Sequence, residues 1–553
     1  MPCGFRSAAA SMSSPTRSLP GRPRRRADLT TRAALFCALA LVLLPACAAP
    51  APPPRRDLVV GLVGEPRGVF DDDPSARFLA GAVTETLVRR DDHDELVPRL
   101  AESVPTYENG GLRLVTDDPT APEGRLVASF RLRDATWQDG EPISASDVRF
   151  AWEQDANAPA GTLERWNADR IDRVDVLGPR DLRVLYKNGE RWDDYALAPR
   201  ILPRHRLSGA SSAQLVAFAR EPVHAGPFEI AAWLPGIVTL SAFKDYVLGP
   251  PGLGRIEVHF FASRTAALDA LLRGEIDMTP SPVLEADLAR TLDRFADGTR
   301  LQAYYKPAEA LDVLRFGPDP KRFGDPAVRQ AIELAVDRQS IVDDVFVGRA
   351  RVAHSFLLAP LWAADEAVAP TVAPDRERAR ALLAQAGFVK GQFGIQERAG
   401  DRLTTTLFVA AGSASRSEVA RRVAGDLAAI GVAADVRERS TESLAADLAA
   451  GHFDLALVWA DASDPREAAE QWAGLVEPWF DVLADAAVRA SDRNEKRALY
   501  GEMQRMWAID LPALPLYQEL HVDVAPQALA EVRPTAGSEP LSWNAWGWSF
   551  ASR

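Results

Sequence analysis

Cysteine is scarce in this chain and confined to one end. The 553 residues contain three, Cys3, Cys37 and Cys47, and none follows Cys47. That excludes a disulfide scaffold and thiol chemistry for the remainder, and a chain of this length builds a core large enough to do without staples. Histidine is nearly as sparse. The seven residues, His93, His205, His224, His259, His354, His452 and His521, are scattered, with no His-Glu-x-x-His and no Cys/His cluster to suggest zinc. Gly-x-Ser-x-Gly, a Walker loop and Gly-x-Gly-x-x-Gly are all missing, which argues against a serine hydrolase and against nucleotide binding. Carboxylate pairs such as Asp91-Asp92 read as solvated surface. The chain therefore reads as a non-enzyme, and no cofactor and no metal are expected. Positive charge is also short. With 64 basic and 77 acidic residues the net charge is −13, the wrong sign for a nucleic-acid partner. Finally, no segment approaches the ~20 consecutive apolar residues of a membrane span.

What is present is ordinary for a folded protein: 47% hydrophobic and 25% charged residues. The length allows two or three packed domains. The first 46 residues stand apart. They hold seven Arg (Arg6, Arg17, Arg22, Arg24, Arg25, Arg26, Arg32) and a single acid, Asp28. Without them 57 basic and 76 acidic residues remain, a net of −19. Arg22 to Arg32 is a basic stretch, Ala33–Leu44 a twelve-residue apolar run, and Pro45, Ala46 and Cys47 follow. This is the layout of a secretory signal. Leu44-Pro45-Ala46-Cys47 resembles a bacterial lipobox, in which cleavage precedes a diacylated cysteine. The expectation is therefore a signal peptide over 1–46, lipid attachment at Cys47, and an Ala/Pro-rich tether over 47–56. A plain signal peptide with an incidental cysteine is the alternative. Arg25-Arg26 hints at twin-arginine export, but Ala27-Asp28-Leu29 fits that pattern poorly. Met12 is a second candidate start.

Along the body, periodicity predicts a strand at Leu58–Val63 and a helix over Ala76–Arg89. It predicts a β-rich stretch from Leu126 to Val148, then a strand at Ile256–Phe261. A helix over Arg264–Arg273 is closed by Gly274 and leads to a short strand at Ile276–Met278. A strand at Asp312–Phe316 precedes a helix opened by Asp325-Pro326, an N-cap followed by proline at the first helical position. Another helix spans Asp375–Ala386. From Thr404 to Val458 the pattern reads β-α-β-α-β: strands at Thr405–Ala410, Val432–Val436 and Asp454–Val458, a helix at Ser415–Ile430, and a shorter one marked by Leu444 and Leu448. Such a unit implies a parallel sheet with helical crossovers. Ligands of such sheets sit beyond the C-terminal ends of the strands. That directs attention to the loop Trp459-Ala460-Asp461-Ala462-Ser463-Asp464-Pro465.

Several stretches carry a resemblance, in order along the chain: Pro98-Arg99-Leu100-Ala101-Glu102-Ser103; Phe130-Arg131-Leu132-Arg133; Trp137-Gln138-Asp139-Gly140-Glu141-Pro142-Ile143-Ser144-Ala145; Asp147-Val148; Gly226-Pro227-Phe228; Gly274-Glu275-Ile276-Asp277; Val328-Arg329-Gln330-Ala331-Ile332 with Asp337-Arg338; and Pro512-Ala513-Leu514-Pro515-Leu516-Tyr517. Together, over more than 400 residues, they resemble the bacterial extracellular solute-binding proteins of family 5, the oligopeptide, dipeptide and nickel binders of ABC importers. Gly317 departs from the family, where Asn is frequent, and His224-Ala225 replaces a Gly-Thr pair. The resemblance implies an α/β, two-lobe periplasmic-binding-protein-like (type II) fold with an extra β-rich subdomain on lobe one. Placed on this chain, lobe one covers 57–305 with the subdomain at about 93–200, lobe two covers 306–518, and 519–553 returns to lobe one. It also implies lobes that close on a ligand.

A receptor for varied peptides must hold what all peptides share. The constant handle is the α-ammonium, which calls for a carboxylate. In peptide-binding relatives an aspartate in an Ala-Asp-x-x-[Asp/Glu]-Pro loop supplies it. Ala460-Asp461-Ala462-Ser463-Asp464-Pro465 matches, so Asp461 is the candidate amine partner, with a solvated loop acid as the alternative. Asp464 reads as the cap of the next helix. Trp459 is a candidate pocket wall, with closure of the core as the alternative. Glu65, after the first strand, is a candidate cleft residue, with a surface role as the alternative. Trp543, Trp546 and Trp548 read as lobe-one core. The expected partners are a peptide ligand, an ABC permease and ATPase complex, and a membrane reached through the lipid anchor. The chain is expected as a monomer outside the cytoplasmic membrane. The competing readings are the same fold holding a nickel chelate, an opine or an oligosaccharide, and a signalling or adhesion lipoprotein.

Overall fold

The first core assembles around the strand Asp57–Val63, whose alternate residues Leu58, Val60 and Leu62 are buried. It pairs in parallel with Arg255–Phe261, which pairs antiparallel with Ile237–Ala242, which in turn pairs with Phe228–Leu234. Helices Pro74–Val83 and Arg264–Arg273 pack on this sheet. Both begin on a side-chain cap. Asp73 accepts from the amides of Ser75 and Ala76, and Ser263 accepts from that of Ala266. Gly274, at φ 75°, ends the second in the left-handed conformation that glycine adopts without penalty. The computed structural model describes residues 57–71, 73–93, 95–158, 168–190, 200–284, 300–359, 361–367, 372–462, 464–490, 492–535 and 539–550. The expected signal peptide, Cys47 and the tether lie outside them. Among the described residues no helix is long and apolar enough to cross a membrane.

The helix expected over Ala76–Arg89 stops at Val83. Thr84 turns its hydroxyl back onto the Ala80 carbonyl, and Glu85 is drawn into a buried ion pair, so helical geometry is abandoned for a tertiary contact. Residues Val88–Arg90 then form a short strand with Leu96–Pro98.

A second sheet has the strand order Thr279–Leu284, Ala513–Pro526, Ala310–Phe316, Leu455–Asp461, Thr404–Ala410, Ala433–Arg439. The β-α-β-α-β unit is present. Thr404–Ala410 runs parallel to both neighbours, with helices Ala414–Ala429 and Thr441–Ala450 as crossovers. The sheet as a whole is mixed, because Ala310–Phe316 joins it antiparallel to Leu455–Asp461. One strand, Ala513–Pro526, serves two cores: Leu514, Leu516 and Tyr517 pack in the second, and Val522, Val524 and Ala525 in the first. Leu301–Pro307 runs antiparallel beside its latter half. Trp548 is fully buried in the first core, so the chain's last segment packs there.

A third core belongs to a four-stranded antiparallel sheet in the order Leu112–Val115, Arg125–Arg131, Asp181–Tyr186, Ile171–Val176. Trp137, Phe130 and Tyr186 fill it. Here the β-rich reading of Leu126 to Val148 is half right. After Arg131 the chain makes a turn closed by the Gly140 amide on the Trp137 carbonyl, then enters helix Ala145–Asp155. The side chains of Ser144 and Asp147 form a capping box that outweighs any strand preference.

Arg99 ties these parts together. Its guanidinium is buried and meets the fully buried Glu85 carboxylate at 3.0 Å. It also donates to Tyr246 Oη at 2.8 Å and stacks 3.9 Å above the Trp546 ring. Burial alone would push the Glu85 carboxyl up; the Arg99 and Arg89 charges overcome this and hold it below its usual range.

Gly317 has a plain reason. A Cβ there would lie 2.0 Å from the Phe453 carbonyl oxygen, so the backbone approach admits glycine alone.

Candidate functional site

Three parallel strands of the second sheet end toward one edge, at Ala410, Arg439 and Asp461; the last runs on past its neighbour, since Val409 pairs with Leu457. Each is followed by a capped helix. Ser413, Ser440 and Asp464 are the caps, so Asp464 does what its position before Pro465 predicts. This edge is where a ligand of such a sheet is expected.

Trp459, Ala460 and Asp461 are strand rather than loop. The ladder continues because Ala310, Leu311 and Asp312 lie opposite them in register. The period of two then places Trp459 and Asp461 on one face. Trp459 is 60% exposed, which removes the core-closing reading and leaves its ring at the sheet edge. Asp461 is half-buried, and its backbone is held on both sides by one side chain. Its amide donates to Gln471 Oε1 at 3.0 Å, and Gln471 Nε2 donates to its carbonyl at 2.9 Å. The next amide, of Ala462, donates to the Glu309 carbonyl at 2.8 Å. Gln471 is a residue that sequence reasoning missed. It sits ten positions on, with only its place just after a capped helix as a signal.

The surrounding electrostatics are mixed. Burial pushes the Glu309 carboxyl up; Arg77 and Lys306 oppose this and the Asp461 charge adds to it. Asp312, opposite Trp459, is buried and bonded to Arg416 at 2.8 Å. Burial pushes its carboxyl up against the Arg416 charge.

Glu65 follows the first strand, and its carboxylate is occupied. Trp233 Nε1 and the Gly236 amide each donate to it at 2.9 Å, and these bonds, with Arg220 at 3.9 Å, hold its pKa below the usual range. It fastens the turn between Phe228–Leu234 and Ile237–Ala242.

A cavity of 440 Å³ lies at the other end of the same sheet, lined by Pro318, Thr406, Gly451 and Phe453 among others. It adjoins the starts of the parallel strands, so the strand-end rule gives it no weight against the Asp461 edge. Among the described residues no group of three or more His, Cys, Asp or Glu is placed to hold a metal ion.

Residues 95–475 match the model of the bacterial extracellular solute-binding proteins, family 5. The oligopeptide-binding protein AppA of Bacillus subtilis is 24% identical over 489 residues, 83% of this chain and 86% of AppA. The structure of that protein in complex with a nonapeptide aligns with a TM-score of 0.63 at 23% identity, over 90% of this chain and 100% of that one. NikZ of Campylobacter jejuni, solved in complex with Ni(L-His), aligns with a TM-score of 0.65 at 21% identity, over 90% and 100%. The architecture is the two-lobe, type II periplasmic-binding-protein fold, and the relatives are binding proteins of transport rather than enzymes. This chain belongs to the bacterial extracellular solute-binding proteins of family 5, the substrate-binding components of ABC transporters.

Proposed function

We propose that this protein captures peptides between two closing lobes and delivers them to an ABC permease and ATPase complex. Asp461 is the partner of the peptide's α-ammonium and Trp459 a wall beside it. The observation that carries the reading is the shared face of these two residues at the strand-end edge, a large exposed ring next to a carboxylate whose backbone is clamped by Gln471. An exposed tryptophan contributes nothing to the core here, and aromatic area at a site edge is what a ligand of variable side chains can use. The peptide-binding relatives support the ligand class. Glu65, fastened to Trp233 and Gly236, is assigned to the turn and not to the ligand.

The division into lobe one (57–305, subdomain about 93–200), lobe two (306–518) and a return segment (519–553) is part of the proposal. The passage of Ala513–Pro526 from the second core to the first supports it. So are export by the segment 1–46, lipid attachment at Cys47, a monomeric state and a place outside the cytoplasmic membrane.

Native mass spectrometry after exposure to a mixed peptide library tests the reading. Peptides captured by the wild type and lost from Asp461→Ala, with the fold intact by circular dichroism, uphold it. Capture of a metal chelate, an opine or a sugar in place of peptides sinks the ligand class and leaves the family standing. Full peptide capture by Asp461→Ala removes the amine partner.

A further inference from the structure

Two sets of charged side chains join the third core to helices of the other half of the chain. Glu95 precedes the strand Leu96–Pro98, whose Leu96 packs on the third core. Arg493 opens helix Arg493–Asp510, whose Tyr500, Met503 and Trp507 belong to a different core, shared with Phe356 and Trp472. The two residues are 398 positions apart, and Arg493 Nη1 lies 2.9 Å from Glu95 Oε2. The Arg493 guanidinium also sits 4.9 Å above the Trp362 ring, which restricts it before Glu95 arrives.

The second set lies beside helix Pro465–Glu470. Arg170 precedes the third-core residue Ile171 and is bonded to Glu190 at 3.4 Å. Arg466 and Glu470 of the helix lie within electrostatic reach of it. Burial lowers the Arg170 pKa, Arg466 lowers it further, and the Glu190 and Glu470 charges oppose them. Two guanidiniums are thus brought close, with one carboxylate from each side to balance them. One like-charged pair, Glu108 and Asp492, works against the contact.

The helix Pro465–Glu470 is the one capped by Asp464, three residues after Asp461, and it is followed by Gln471, which holds the Asp461 backbone. We propose that these contacts form a charged clasp between the extra subdomain and lobe two. The clasp keeps the lobes together, steadies the element behind the ligand edge, and so sets affinity without touching ligand. This rests on the reading that ligand is caught by closing lobes. Both partners of the Glu95–Arg493 pair are exposed, so the clasp is screened by salt, and at ~10 Å Debye length in 0.1 M salt its pull is already blunted.

The test uses the full chain with Glu95→Lys, Arg493→Glu and the double exchange. Small-angle X-ray scattering without ligand reads the closure. Native mass spectrometry with the mixed peptide library reads capture. Each single reversal is expected to enlarge the radius of gyration at low salt and to weaken capture about fivefold, as expected when an attraction of exposed charges becomes a repulsion. The double exchange is expected to restore both, and ~1 M salt to erase the differences. Unchanged scattering in the single variants overturns the clasp, and so does a double exchange that restores nothing. The scattering needs no ligand. A wild type that captures no peptide therefore sinks the peptide reading alone, and the clasp is still decided by its own measurement.

Discussion

Replacing Arg99 by methionine tests what a buried carboxylate costs when its cation is removed. Arg99 and Glu85 expose 1% and 0% of their side chains. Arg99 Nε reaches both Glu85 oxygens at 3.1 Å and Nη2 reaches one at 3.0 Å, while Tyr246 donates to the same carboxylate. Methionine keeps much of the volume against Trp546 and removes the charge. A buried carboxylate left without its partner costs about 3–5 kcal/mol. Arg89 stays within electrostatic reach and Tyr246 keeps its bond, so the low end, about 3 kcal/mol, is the expectation. At ~2.1 cal/mol/K per residue, a body of ~500 residues melting as one unit gives a melting temperature lower by about 3 °C. The pH dependence carries the sharper test. In the wild type the folded Glu85 pKa is lowered, so its stabilisation is complete above the ordinary ~4.3 and is lost as pH falls through the lower folded value. In Arg99→Met burial prevails and the folded pKa rises above ~4.3, so the variant is relieved as pH falls from neutral. Both effects act in the same direction: the gap in urea midpoint between the two proteins is widest near pH 7 and closes below about pH 5. Glu85→Leu with Arg99→Met is expected to recover most of the loss, because no unpaired charge remains. A gap below ~1 kcal/mol, or one that stays constant from pH 7 to pH 4, refutes the reasoning.

Gly317→Ala forces a methyl against the Phe453 carbonyl and breaks the 2.7 Å bond from the Gly317 amide to the Asp454 carbonyl; a loss of about 1–3 kcal/mol is expected in urea denaturation. Trp459→Ala leaves stability within about 0.5 kcal/mol, since the ring is exposed, and lowers peptide capture; unchanged capture takes Trp459 out of the site. Glu65 has a lowered folded pKa, so its hold on the Trp233 indole persists below ~4.3 and is released only as pH falls further; an acid titration of tryptophan emission should show a transition there that Glu65→Ala abolishes.

The elements that the sequence announced are those whose ends are written locally. Asp325-Pro326, Ser263 with Gly274, and Ser440 with Gly451 each supply a cap within a few residues of the turn they close, so the boundaries need no knowledge of the rest of the chain. The misreadings have the opposite origin. Helical periodicity continues past Val83, but Glu85 is spent on Arg99, fourteen residues away and on another element. Trp459-Ala460-Asp461 looks like the end of a strand because the apolar run stops at Val458. The ladder that extends it comes from Ala310 to Asp312, some 150 positions earlier. Gln471 and the Glu95–Arg493 pair were invisible for the same reason: neither residue type nor spacing says that a glutamine will clamp a strand or that charges 398 apart will meet.

This division bears on the candidate site directly. Asp461 was singled out because a short motif and a topological rule converge on it, and both are local in sequence once the β-α-β-α-β pattern is seen. Its surroundings are non-local: an edge built by an antiparallel strand, a backbone held by Gln471, and a helix that also answers to Arg170. If the clasp and the clamp act through that helix, Gln471→Ala should lower capture while leaving the Asp461 carboxylate in place. Its effect should add to Arg493→Glu by less than the sum, because both loosen one element. Additive losses would place the clasp and the clamp on separate elements and break the link between lobe closure and the amine partner.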